Sequence, residues 1–126
     1  MDINLPDVVA EIAVAFARYE AALTSNDIAT LDALFWDGAP TLRYGIAENL
    51  YGPTEIAAFR AARPSVGLMR TLSRTQITTY GRDMAIAATL FHRDHLPGKT
   101  GRQMQTWVRM ADGWRVVAAH VSIIDS

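Results

Sequence analysis

The stretch GRQMQTWVRMADGWRVVAAHVSII, Gly101 to Ile124, decides the fold. Two runs of alternating character flank Ala111-Asp112-Gly113, the composition of a tight turn. In the first run Gln103, Gln105 and Trp107 share one face, with Met104, Thr106 and Val108 on the other. In the second, Trp114, Val116, Ala118, His120 and Ser122 share a face, and Val117, Ala119, Val121 and Ile123 the opposite one. This is an antiparallel hairpin. Towards the N-terminus, MRTLSRTQITTYG and DMAIAATLFHRD are two more strand-like runs, divided by Gly81-Arg82-Asp83. Leu96 to Gly101 forms the next connection. Short connections make the four strands antiparallel neighbours.

The first half has a different period. Val9, Ile12, Phe16, Tyr19 and Leu23 recur at helical spacing and form one apolar stripe. Ile28, Leu31 and Leu34 mark a short second helix, with Asn26 as its expected cap. FWDGAPTLRYGIAENLYG turns twice, at Asp37-Gly38 and around Gly45 to Asn49, and reads as short strands. Gly52-Pro53-Thr54-Glu55 opens a third helix, which Pro64 stops. Helices followed by an antiparallel meander predict an α+β domain over residues 1–126, with three helices on one face of the sheet.

Composition narrows the function. A net charge of −1 gives no broad field for nucleic acid. Lys99 is the only lysine among twelve basic residues, and arginine suits planar recognition of carboxylates. The absence of cysteine removes disulfides, thiolate metal sites and a Cys nucleophile. No apolar run approaches the ~20 residues of a membrane span. The acidic N-terminus lacks the basic segment of a signal peptide, so a cytoplasmic protein is expected. PGKTG echoes a phosphate-binding loop, but Arg93 stands where that motif needs glycine. His92 and His95 fall on opposite faces of a strand and no third ligand cluster accompanies them, so no metal is expected, and no other cofactor is expected either. No serine has the context of a nucleophile elbow.

Helices, hairpin and meander together resemble the NTF2-like, or SnoaL-like, superfamily. Within it, ALFWDGAPTLRYGIAENLYGPTEIAAFRAAR and GRQMQTWVRMADGWRVVAAHVS resemble the AtzH/HpxZ group. The resemblance covers nearly the whole chain. It implies a curved sheet that wraps the helices around a conical pocket. It also implies a role in the catabolism of small nitrogen-rich amides. For the AtzH type this is removal of a carboxylate-bearing end from 1,3-dicarboxyurea, giving allophanate in cyanuric acid breakdown.

Tyr19 and Arg43 are the candidate catalytic residues. Tyr19 lies on the inward stripe, either as a core tyrosine bonded to a carbonyl or as an acid or base at the pocket floor. A phenol of ordinary pKa, about 10, donates a proton without any shift. Arg43 faces away from Leu42, Tyr44 and Ile46, and either pairs with Glu48 in solvent or waits for an anion in the cone. Glu48, Asn49, Arg60, Arg70, Gln105, Trp107 and His120 are the candidate substrate-binding residues. Glu48 would orient Arg43, Asn49 would serve the turn, and Arg60 or Arg70 would supply a second carboxylate clamp. Arg63, beside Arg60 on the third helix, reads by default as solvated. Tyr51 reads as core.

Two functions follow. The first is a cofactor-free decarboxylating amidohydrolase or decarboxylase acting on a small anionic urea. The second is a non-catalytic binding module that supports a partner amidase. Isomerase or cyclase chemistry fits less well, because every acidic residue falls at a turn, helix end or helix flank. A homodimer through the outer sheet face is expected from the apolar Val117, Ala119, Val121 and Ile123. No nucleic-acid or membrane partner is expected.

Overall fold

A computed structural model describes residues 1–126. Three helices, α1 (Pro6–Thr24), α2 (Ile28–Leu34) and α3 (Gly52–Ala62), alternate in the first half with two short strands, β1 (Leu42–Tyr44) and β2 (Asn49–Tyr51). The second half is β3 (Thr71–Tyr80), β4 (Met84–His92), β5 (Lys99–Met110) and β6 (Gly113–Asp125). All six strands form one sheet in the order β2-β1-β6-β5-β4-β3. Every pairing is antiparallel except β1 with β6. The α+β class expected from the pattern is the one observed. No helix is long and apolar enough to cross a membrane.

The apolar stripe of α1 closes the core. Val8, Ile12, Phe16, Tyr19 and Leu23 are buried against the sheet, where Ala85, Ala87, Trp107 and Val116 face them. Val9 of the expected stripe stands beside it rather than in it. Pro6 starts α1 at a position where a missing N–H costs nothing. Asp27, not Asn26, caps α2: its carboxylate accepts from the Thr30 N–H at 3.2 Å. Asn26 instead takes the left-handed conformation (φ 55°) that ends α1. In α3, Glu55 reaches back to accept from the Tyr51 N–H at 2.9 Å.

One irregularity re-aims the last strand. In the β5–β6 ladder Thr106 faces Ala118 and Trp107 faces Val116, which leaves Val117 opposite no residue. This bulge breaks the period of two. Trp114 and Val116 point inward before it, and Ala119 and Val121 point inward after it. His120 therefore turns outward, opposite to its expected face, and Ala119 and Val121 leave the outer surface. The apolar stripe offered for a homodimer is not there. The outer face instead carries Met104, which is 54% exposed, with Met84, Tyr44 and Tyr51. Tyr51 is not core: its hydroxyl meets that of Tyr44 at 2.9 Å, which pushes the Tyr51 phenol pKa up.

Candidate functional site

The alternation of β1 and β4 and the turn angle of α3 bring a set of arginines to one place. Arg43 faces inward from β1, while its neighbours Leu42 and Tyr44 face out with their partners Tyr51 and Asn49. Arg63 ends α3 one helical turn after Phe59, and its N–H donates to the Phe59 carbonyl at 3.1 Å. Phe91 points inward on β4, so Arg93, two residues on, points the same way. Arg70 enters from the segment before β3. Together with Tyr19, Leu23, Ile46, Glu48, Gln103 and Val121, these residues line a cavity of about 170 Å³.

Two of the four guanidiniums are neutralised. Arg43 donates to Glu48 at 2.9 Å and lies over the Phe59 ring, 5.3 Å from its centroid. Its side chain is 13% exposed. Arg70, 2% exposed, grips the Glu20 carboxylate through Nε at 2.9 Å and Nη2 at 2.6 Å. The same Nη2 donates to Gln103 Oε1 at 2.9 Å. Guanidinium nitrogens only donate, so the Gln103 amide must present its oxygen to Arg70 and its NH₂ elsewhere.

The other two guanidiniums have no counter-ion. Nε and Nη2 of Arg63 and Nε of Arg93 are buried without a hydrogen-bond partner, as is Nε2 of Gln103. Burial lowers the Arg63 and Arg93 pKa values from the usual arginine range, and in both the charge of nearby Arg70 adds to the effect. Both remain cations, because a guanidinium does not lose its proton in proteins. Arg93 stacks on Phe91 at 4.8 Å, and Arg70 on the same ring at 4.7 Å. Tyr19 is 5% exposed, its ring tilted against Phe35 at 6.4 Å. The cavity thus offers donors, two unmatched positive charges and one phenol. Arg63 and Arg93 are half-buried, so their guanidiniums have lost part of their hydration, which an anion in the cavity would replace.

Of the candidates named from sequence, Tyr19, Arg43, Glu48 and Arg70 meet in this cavity. Arg43 satisfies both of its alternatives at once, bonded to Glu48 and lining the pocket. Five candidates lie elsewhere. Asn49 pairs with Tyr44, so it shares the outward face. His120 is exposed on that face with its ring edge-on to Tyr44, because the Val117 bulge reverses the strand. Gln105 and Trp107 do face inward, but they are core: Trp107 Nε1 donates to Gln105 Oε1 at 3.1 Å. The cavity is lined by Gln103, two residues earlier on the same face, and not by Gln105 or Trp107. Arg60 follows Ile56 rather than Phe59 around the helix. It enters a separate open groove of about 770 Å³ and donates to Asp32 at 2.5 Å. That groove is larger, but its arginines have carboxylate partners: Arg115 meets Asp112 at 3.3 Å.

Sequence reasoning missed Arg63, Arg93 and Gln103 as cavity residues. Each had a signal. Arg63 lies four residues after Phe59, Arg93 two after Phe91, and Gln103 shares the Gln105 face.

Two glycines give this site its room. At Gly45, an added Cβ would come within 1.7 Å of Glu48 Oε1 and 3.0 Å of Arg43 Nη1. At Gly101, it would meet the Phe91 ring at 2.1 Å. Both glycines belong to the motifs that carry the family resemblance.

Comparison with known proteins agrees with this architecture. No curated protein is similar to the chain. A crystal structure of a protein of unknown function from Pectobacterium atrosepticum, of the DUF3225 family, is 60% identical, with a TM-score of 0.96. The match covers 98% of this chain and 96% of that one. A cystatin-like fold protein from Burkholderia xenovorans is 49% identical over 100% of this chain and 98% of its own, again at 0.96. An NTF2-like protein of unknown function from Pseudomonas putida is 17% identical, covers 92% and 86%, and has a TM-score of 0.75, which shows the shared fold. The AtzH-like family model matches residues 1–126. The chain has the NTF2-like, cystatin-like fold and belongs to the AtzH-like family.

Proposed function

We propose that the chain is a cofactor-free enzyme that removes a terminal carboxyl group from a small carboxylated urea, of which 1,3-dicarboxyurea is the type. One observation carries the reading. Tyr19 and Arg43 line the same 170 Å³ cavity, in which two further guanidiniums have no counter-ion.

Glu48 holds one terminal nitrogen of Arg43, and the guanidinium keeps further N–H donors. These polarise the urea carbonyl or hold the departing carboxylate. Tyr19 supplies the proton. As the C–N bond breaks, its electron pair stays on nitrogen, which takes the phenol proton while CO₂ leaves. Water then returns a proton to Tyr19. A positioned acid typically contributes about 10²- to 10⁴-fold. Fixed charge in a desolvated cavity adds to this. Attack by water on the carboxyl carbon, giving bicarbonate, uses the same two residues and the same proton.

A second reading, a binding module that supports a partner amidase, draws on the make-up of the cavity: four guanidiniums against a single phenol. Turnover separates the two. The enzyme reading expects the purified protein alone to consume 1,3-dicarboxyurea faster than its spontaneous decay. A rate equal to that decay, at stoichiometric protein, contradicts it.

A further inference from the structure

We propose that Gln103 is a substrate-binding residue whose NH₂ donates to the central carbonyl oxygen of the urea, and that Arg70, anchored by Glu20, is the positioning residue that fixes its direction. The inference rests on the reading of this cavity as the substrate site. It gives the carbonyl to Gln103 and leaves the departing carboxylate to Arg43.

A neutral acceptor calls for a neutral donor. Gln103 is 2% exposed and lines the cavity, yet its Nε2 has no hydrogen-bond partner. Buried amides are nearly always paired, so an orphaned NH₂ at a cavity wall calls for a ligand that completes it. The other orphaned donors that line this cavity belong to Arg63 and Arg93 and carry charge. Charged donors suit carboxylates, and the amide is left for an uncharged oxygen. Position agrees. Gln103 pairs with Thr89 of β4 on one side and Val121 of β6 on the other. Its strand β5 therefore stands between β1, which carries Arg43, and β4, beyond whose end Arg93 follows. A urea likewise has its carbonyl between its two nitrogens.

The direction of the amide is built in. A free glutamine side chain can present either its oxygen or its NH₂. Here Arg70 Nη2, which can only donate, stands 2.9 Å from Gln103 Oε1 and holds the oxygen to its own side. Glu20 fixes Arg70 in turn through Nε at 2.9 Å and Nη2 at 2.6 Å, and Arg70 stacks on the Phe91 ring. When the C–N bond breaks, the electron pair left on nitrogen spreads onto the carbonyl oxygen. A fixed donor at that oxygen binds the transition state more strongly than the substrate.

The probes are glutarate and 3-oxoglutarate, which has the same chain with a carbonyl at its centre; neither has the scissile C–N bond. Binding is measured by calorimetry at low temperature on the wild type, Gln103→Met, Gln103→Glu, Arg70→Met and Arg70→Lys, with folding checked by melting. The wild type should bind 3-oxoglutarate about fivefold more tightly than glutarate, the worth of one hydrogen bond. Gln103→Met keeps the length of the side chain without the donor, so the two probes should bind alike. Gln103→Glu keeps an oxygen for Arg70 and sets a second one against the carbonyl, so the order should reverse. Arg70→Lys, which still donates to Gln103, should keep the preference, and Arg70→Met should lose it. A merely structural loss would weaken both probes together and leave their ratio unchanged. In turnover of 1,3-dicarboxyurea, kcat of Gln103→Met should fall at least about tenfold while KM changes less. A wild type without preference for 3-oxoglutarate overturns the assignment, even if it turns over 1,3-dicarboxyurea or binds neither probe. So does a folded Gln103→Met that keeps the preference, and a folded Arg70→Met that keeps it overturns the positioning role. A preference lost in Gln103→Met, in a protein without turnover, supports the Gln103 contact and counts against the enzyme reading alone.

Discussion

Phe91 stands opposite Gly101 in the β4–β5 ladder, and its ring fills the space that a Cβ at position 101 would need. The ring is 2% exposed and carries Arg70 and Arg93 on its faces. Glycine is here a packing device: it lets an aromatic platform lie flat across the neighbouring strand.

Gly101→Ala should therefore act at a distance. The methyl group displaces the ring and with it both arginines. Overpacking of this kind costs about 1–3 kcal/mol. Urea denaturation should show that loss. Gly101→Ala combined with Phe91→Leu should recover part of it, since the two sites share one space. Strictly additive losses would contradict the contact.

Gly45→Ala should spare stability and damage function. A Cβ there overlaps Glu48 Oε1, so the Arg43–Glu48 pair must open. Position 45 lies in the turn after β1, outside the core. Turnover of 1,3-dicarboxyurea should fall at least about tenfold, as expected when a positioned charge is lost, while the melting temperature changes little. A fully active Gly45→Ala variant would show that turnover does not depend on the orientation of Arg43 by Glu48.

Glu20→Asn should be far more harmful than Asp112→Asn. Removal of Glu20 strands the Arg70 guanidinium, which is 2% exposed, and breaking a buried pair costs about 3–5 kcal/mol. Asp112 is an exposed partner of Arg115, and such pairs are worth about 0–1 kcal/mol. Equal denaturation midpoints for the two variants would contradict this ranking.

Acid should loosen α1 from the last hairpin. Glu11 accepts from Arg109 Nη1 at 2.6 Å and Trp114 Nε1 at 2.9 Å, and these bonds hold its carboxyl below the usual glutamate value of 4.5. A depressed folded-state pKa gives stability that is fully present above the unfolded value and lost as pH falls through the folded one. The wild type should melt higher than Glu11→Gln at pH 7, and the gap should close below pH 4.5. A constant gap down to acid pH would show that Glu11 titrates without linkage to folding.

The fold was legible because its two halves have different periods. Helical spacing ran from Ile12 to Leu23, and alternation governed the stretch from Gly101 to Val116. The site was legible only where those periods held. Tyr19 followed directly from them, whereas for Arg43 they set only its face and left both the Glu48 pair and the pocket open. His120 did not, because the unpaired Val117 has no mark in the sequence and shifts every later side chain to the other face. Arg60 lies in the last turn of α3 and Arg63 is the residue that ends it, and only tertiary packing decides that Arg60 turns to Asp32 while Arg63 turns to the cavity. The positive charge in the cavity was hidden for another reason. A net charge of −1 for the whole chain conceals a local excess that arises only when four distant arginines converge.

On the proposed mechanism Tyr19 delivers the proton and Arg43 holds the reacting group in one donor-lined cavity. Single-turnover decay of 1,3-dicarboxyurea, followed as allophanate by mass spectrometry, tests it with wild type, Tyr19→Phe and Arg43→Ala, all shown to be folded. The wild type should form allophanate rapidly. Each variant should form it at least about 10²-fold more slowly. A Tyr19→Phe variant that forms allophanate at the wild-type rate would contradict it.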